Sequence, residues 1–101
     1  MPRRLSLTTV AVLRAVASGH RFGLAVMRET GLPSGTVYPV LARAEDSGFV
    51  RSAWEHGDGP ADVGRPRRRY YELTPQGRRA VERAMAEISI LANPRRVTGH
   101  G

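Results

Sequence analysis

Residues 33–50 read PSGTVYPVLARAEDSGFV. Val37, Val40, Leu41 and Ala44 stand at i, i+3, i+4 and i+7, the spacing that puts four apolar side chains on one face of a helix. The helix is expected to begin at Ser34 and to stop at Gly48. At about 100° per residue the opposite face carries Gly35, Tyr38, Pro39, Ala42, Arg43 and Asp46. A face that only meets water is normally built from Glu, Lys and Gln. This one opens with small, aromatic and imino residues around a single arginine, a surface able to sink into a groove. Pro39 stands in the first turns, where a missing N–H costs least because the hydrogen-bond ladder is still incomplete. Its flat ring suits contact with a thymine methyl, and shaping of the first turn explains it about equally well. The start of the helix adds free backbone N–H groups and a positive dipole end, both suited to phosphate, with Ser34 and Thr36 beside them as neutral donors. Glu45 and Asp46 oppose the dipole at the other end, so only the N-terminal half is expected to approach an anion closely.

Two further helices precede this one. Ser6 can cap a helix from Leu7 to about Ser18, and the near-absence of polar residues in LTTVAVLRAVAS predicts burial on two sides. RFGLAVMRET, residues 21–30, reads as a second helix ended by Gly31, with Gly23 a weak point inside it. The short Gly31–Pro33 link has the length and glycine content of a helix-turn-helix junction.

After Gly48 the period changes. FVRSAWE and RRRYYELT are strand-like runs joined by HGDGPADVGRP, a hairpin with a long tip. Alternation sends Tyr70 and Tyr71 to opposite faces, and Tyr71 is assigned to the core. Trp54, the one tryptophan, is expected to pin this hairpin to the body. Thr74 and Pro75 then start a helix that runs to about Ala92, before Asn93 and Pro94. Its Val81, Met85, Ile88 and Leu91 form a short heptad-like seam. The fold class expected is mainly α with a small β-hairpin: a winged helix-turn-helix plus a C-terminal dimerisation helix. The division is a flexible basic start at 1–5, a winged domain at 6–73, the dimerisation helix at 74–92 and a flexible tail at 93–101.

The whole chain is a single domain of 101 residues, with 16 basic against 9 acidic side chains and every basic residue an arginine. The net charge of +7 favours an anionic partner, and arginine suits bidentate contacts to phosphate and guanine. Four arginines crowd into residues 65–69, so Arg65, Arg67 and Arg68 are assigned to DNA contact from the wing. The absence of cysteine removes disulfides, thiol catalysis and zinc clusters, and His20, His56 and His100 have no metal-ligand spacing. No acid–base pair, activated nucleophile or phosphate-cradling glycine loop is present, so neither an enzyme nor a cofactor site is expected. No run reaches the length of a membrane span, and no leader-like segment opens the chain; the expectation is a soluble, cytoplasmic protein.

GLPSGTVYPVLARAEDSGFV followed by tryptophan, and then GRPRRRYYELTPQGRRAV, resembles the PadR family of bacterial transcriptional regulators over roughly residues 5–85. In that family a GT-LYP-L-RLE--G helix precedes a GRPRK-Y-LT--G wing. The resemblance implies a repressor-type winged-helix protein that binds operator DNA as a homodimer through its C-terminal helix. It places Thr36, Tyr38 and Pro39 in the recognition helix and Gly64, Arg65, Pro66 and Arg67 in the wing. The single helix after the wing matches the short subgroup, and no small-molecule effector is indicated. The recognition set expected is therefore Ser34, Gly35, Thr36, Tyr38, Pro39 and Arg43, and the partners are double-stranded DNA and a second copy. The competing reading from another class is a winged-helix module that binds an acidic protein or nucleic acid without sequence preference. A third, an RNA-binding winged helix, has few aromatic residues with which to stack bases.

Overall fold

The computed structural model describes residues 5–55 and 68–92. Helix α1 spans Leu7–Ala17, α2 Gly23–Thr30 and α3 Ser34–Asp46; strands β1 (Val50–Trp54) and β2 (Arg69–Leu73) follow, and α4 covers Pro75–Ala92. The architecture is mainly α with one antiparallel hairpin, the winged helix-turn-helix expected from the sequence.

Local chemistry sets the element ends. The Ser6 hydroxyl accepts from the Thr9 amide and caps α1, while Gly31 takes the left-handed conformation that closes α2. The second helix starts two residues later than its composition suggests. Phe22 is extended and bridges Tyr70, and the Arg21 carbonyl accepts from the Tyr71 amide at 2.8 Å, so residues 21 and 22 serve the sheet rather than the helix. Tertiary pairing here outweighs local helix propensity.

Helix α1 is the centre of the molecule. It packs against α2, α3, α4 and β2, and its Val10, Val12, Leu13, Ala15 and Val16 are buried. The chain itself therefore covers one side of the apolar helix and leaves Leu7, at its start, 73% exposed. Val37, Val40, Leu41 and Ala44 complete this core from α3, with Val26, Val50, Tyr71 and Val81 around them. Burying each such side chain is worth about 1.5–3 kcal/mol.

The strands pair from Val50 opposite Leu73 to Trp54 opposite Arg69. One face carries Val50, Ser52 and Trp54 with their partners Leu73, Tyr71 and Arg69. Burial falls along it as the hairpin leaves the body, and Trp54 is 54% exposed. The tryptophan does not pin the wing: it stands on the exposed outer end of β1, with the Arg69 guanidinium 5.7 Å from its ring.

Thr74 joins four elements. Its amide donates to the Phe49 carbonyl at 3.0 Å, its hydroxyl donates to the Gly48 carbonyl at 2.5 Å, and the same oxygen accepts from the Gly77 amide at 3.0 Å. The end of α3, the entry to β1, the exit of β2 and the start of α4 are thus fastened by one residue. Among the described residues no helix is long and apolar enough to cross a membrane.

Candidate nucleic-acid interface

The third helix separates its two faces cleanly. All four residues of the apolar stripe are buried, while Gly35, Tyr38, Pro39, Ala42, Arg43 and Asp46 are all exposed. Pro39 lies within an unbroken helix. It supplies no N–H to the Gly35 carbonyl, but Gly35 is on the exposed face, where water can take that role. Pro33 precedes the helix without a side-chain cap, and its carbonyl takes the amides of Thr36 and Val37 at 2.9 and 3.0 Å. The amides of Ser34 and Gly35 have no acceptor among the described residues, which leaves two donors at the positive end of the helix. Ser34 is exposed beside them and Thr36 is half-buried.

Tyr38 does more than face outward. Its phenol ring lies against the backbone of Gly23, where any side-chain carbon would collide with the ring. Gly23 is therefore a point of close approach between α2 and α3, which explains a glycine that composition marks only as a helix weakness. The ring is still 46% exposed. Arg43, two turns into the face, forms no ion pair with any described residue.

At the wing, Arg65 and Arg67 lie outside the described residues, as do Gly64, Pro66 and His56. Arg68 begins the described part of the returning strand. Its Nε and Nη2 donate to the Glu55 carboxylate at 3.1 and 3.3 Å, and the guanidinium carbon sits 4.1 Å from the centre of the Phe22 ring. The hydrogen bond to Glu55 raises the Arg68 pKa above its ordinary value, so the side chain is a fixed cation. Phe22 also meets Tyr70 edge-on at 6.5 Å, which ties the base of the wing to the start of α2. Arg69, next along, turns to the other face of the sheet. Its Nε donates to the Ser52 hydroxyl at 2.9 Å and its Nη2 to Glu45 of α3 at 3.3 Å.

Sequence reading missed this second set: Phe22, Glu45, Ser52, Glu55 and Arg69. The Glu45–Arg69 pair is separated by 24 residues, and nothing local predicts it. The one available signal is a carboxylate at the negative end of a helix, where it needs a cation brought from elsewhere.

The four seam residues of α4 are placed differently from one another. Val81 is 8% exposed within the chain's own core and Met85 packs against that core. Ile88 is half-buried, Leu91 is 72% exposed and Ile90 is exposed beside it. No group of histidine and acidic side chains able to hold a metal ion occurs among the described residues. His20 pairs with Glu29 at 3.4 Å.

Comparison with known proteins adds an independent line. The sequence pattern of the transcriptional regulator PadR-like family matches residues 12–83. A PadR family transcription regulator from Clostridium difficile has a similar fold, with a TM-score of 0.76 over 92% of this chain and 98% of that one at 18% identity. The smu.1704 protein from Streptococcus mutans superposes with a TM-score of 0.73 at 22% identity, covering 98% of this chain and 95% of its own. The PcaV transcriptional regulator from Streptomyces coelicolor, solved with its natural ligand, gives 0.76 at 22% identity over 90% of this chain and 60% of PcaV. No curated protein matches the sequence.

Proposed function

Because the chain belongs to the transcriptional regulator PadR-like family, and is thereby a DNA-binding regulator, we propose that it reads a specific near-palindromic operator as a homodimer and represses by occupying a promoter. The observation that carries this reading is the third helix. Its four apolar residues are all buried and the six opposite them all exposed, with two amides at its start and Arg43 further along that have no partner among the described residues. Gly35 and Pro39 keep that face shallow enough for a major groove, Ser34, Thr36 and the free amides meet phosphate, and Tyr38 and Arg43 reach base edges. From the wing, Arg65, Arg67 and the pre-oriented Arg68 neutralise the flanking backbone.

In the dimer we assign the contact to the outer half of α4. Ile88 and Leu91 leave apolar surface there that the chain does not cover, Ile90 extends it, and Met85 closes its inner edge. A two-fold axis through this end would set the two α3 helices about 34 Å apart, one turn of duplex, which requires a symmetric site. No effector and no catalytic step belong to this reading.

The test is selection of bound duplexes from a random pool by the purified protein at moderate salt. Enrichment of a two-fold symmetric motif is expected. Tight binding that leaves the pool unselected would overturn the operator reading in favour of a protein-interaction module or a non-specific nucleic-acid binder, whose basic surface is enough to hold any polyanion.

A further inference from the structure

Resting on the DNA-reading function proposed above and deepening it, we infer that Trp54 is a further DNA contact, its indole laid against the sugar–phosphate backbone beside the groove that α3 enters. Strand alternation puts Trp54 on the sheet face that carries Ser52, and the Ser52 hydroxyl donates to Glu45 of α3. Arg69, the cross-strand partner of Trp54, donates to Ser52 at 2.9 Å and to Glu45 at 3.3 Å. The face that bears the indole is therefore turned toward α3. Glu45 stands about two turns along the same edge of that helix from the exposed Tyr38, so the hairpin runs beside the reading face.

Folding makes little use of this side chain. Trp54 is exposed, stands outside the core, and its indole N–H has no acceptor among the described residues. The Arg69 guanidinium lies 5.7 Å from the ring centre, and its Nε and Nη2 are already given to Ser52 and Glu45. What this end of the hairpin offers outward is thus an apolar ring with one N–H donor, set beside a cation. The duplex backbone alternates apolar deoxyribose carbons with phosphate oxygens, which matches both parts of an indole. A planar small molecule needs a concave site with walls on several sides, and this is an open strand end. A protein partner would have to cover the exposed Arg51, Arg68 and Arg69 of the same hairpin, whereas a polyanion is drawn to them. Being neutral and directed at the backbone, the contact adds affinity without reading sequence.

Trp54 is the only tryptophan of the chain, so its fluorescence reports on this position alone. The full-length wild type is titrated with the duplex it selects and with unrelated duplex, at a salt concentration where both bind. At saturation with either, the emission should shift and quenching by acrylamide should weaken. Trp54→Ala should lower affinity for both duplexes about 10-fold, the return on removing about 55 Å² of apolar surface from water at about 25 cal/mol per Å². The log–log salt slope should stay unchanged, because a neutral side chain releases no counterion. Trp54→Phe, which keeps a ring and loses the N–H, should recover part of the loss. Circular dichroism and melting check that the variants fold, and the wild-type titration needs no variant. Acrylamide access unchanged at saturation, or Trp54→Ala binding as tightly as the wild type, overturns the contact. A loss confined to the selected duplex also overturns it, by making the indole a reader of bases, and emission that shifts with protein concentration in the absence of DNA would assign the ring to a contact between copies. Failure of the wild type to select any sequence would remove the operator reading alone, since any bound duplex reports on Trp54.

Discussion

Gly77 is required by what stands opposite it and not by its own backbone angles. A methyl group there would run into the Phe49 carbonyl, which is itself held by the Thr74 amide and has no room to withdraw. Gly77→Ala should therefore lower stability by about 3 kcal/mol, the upper end of overpacking costs, read as a fall in denaturant midpoint at unchanged slope. Gly23 meets a softer obstacle, the half-exposed ring of Tyr38, which can swing aside. Neither demand is visible in the sequence, where the two glycines look alike. Tyr71 carries a consequence for pH. Burial raises its phenol above the ordinary value of 10.0, against the pull of Arg69 and with help from Glu45 and Tyr38. Its folded pKa lies above its unfolded one, so the contribution is complete below about pH 10 and is lost as pH rises through the folded value. Melting temperatures measured from about pH 8 to 11 should decline at the alkaline end for the wild type, and less steeply for Tyr71→Phe.

Elements divide the work of recognition. In the proposed reading helix α3 presents side chains to base edges, whereas the wing supplies charge, and two substitutions should tell these roles apart. Arg67→Ala is expected to weaken binding to all duplexes by similar factors. Arg43→Ala should cost about 1–3 kcal/mol on the selected site and much less on unrelated DNA, as quantitative binding to both would measure. Equal losses on every sequence would take α3 out of direct readout. The faces of α3 were legible in advance because a 3.6-residue period needs no tertiary information: stripe and opposite face fall where the spacing puts them. The start of α2 was not. Arg21 and Phe22 have helical company on one side only, and the partner that draws them into extended pairing is Tyr70, 48 positions further along the chain.

At the scale of the whole molecule, the chain buries one side of its apolar α1, with Leu7 left 73% exposed, and leaves the outer end of α4 bare. Ile88→Asp should convert a dimer into a monomer in sedimentation and reduce operator affinity with it, since a charge would have to enter the contact unpaired. A variant that still sediments as a dimer would place the interface elsewhere. Periodicity, turn residues and the two ordered motifs by themselves determined the order of elements, the buried stripe of α3 and the family, because each is written in neighbouring residues. Which side chains of α4 serve the core and which stay outside was decided only in three dimensions: Val81 and Ile88 share one seam, but the body of the protein ends between them. The same holds for Trp54, left exposed at the outer end of β1, and for Arg69, one arginine in a basic run until the fold brings Glu45 beside it. Contacts between distant residues depend on where the packed elements stop, and no local pattern encodes that limit.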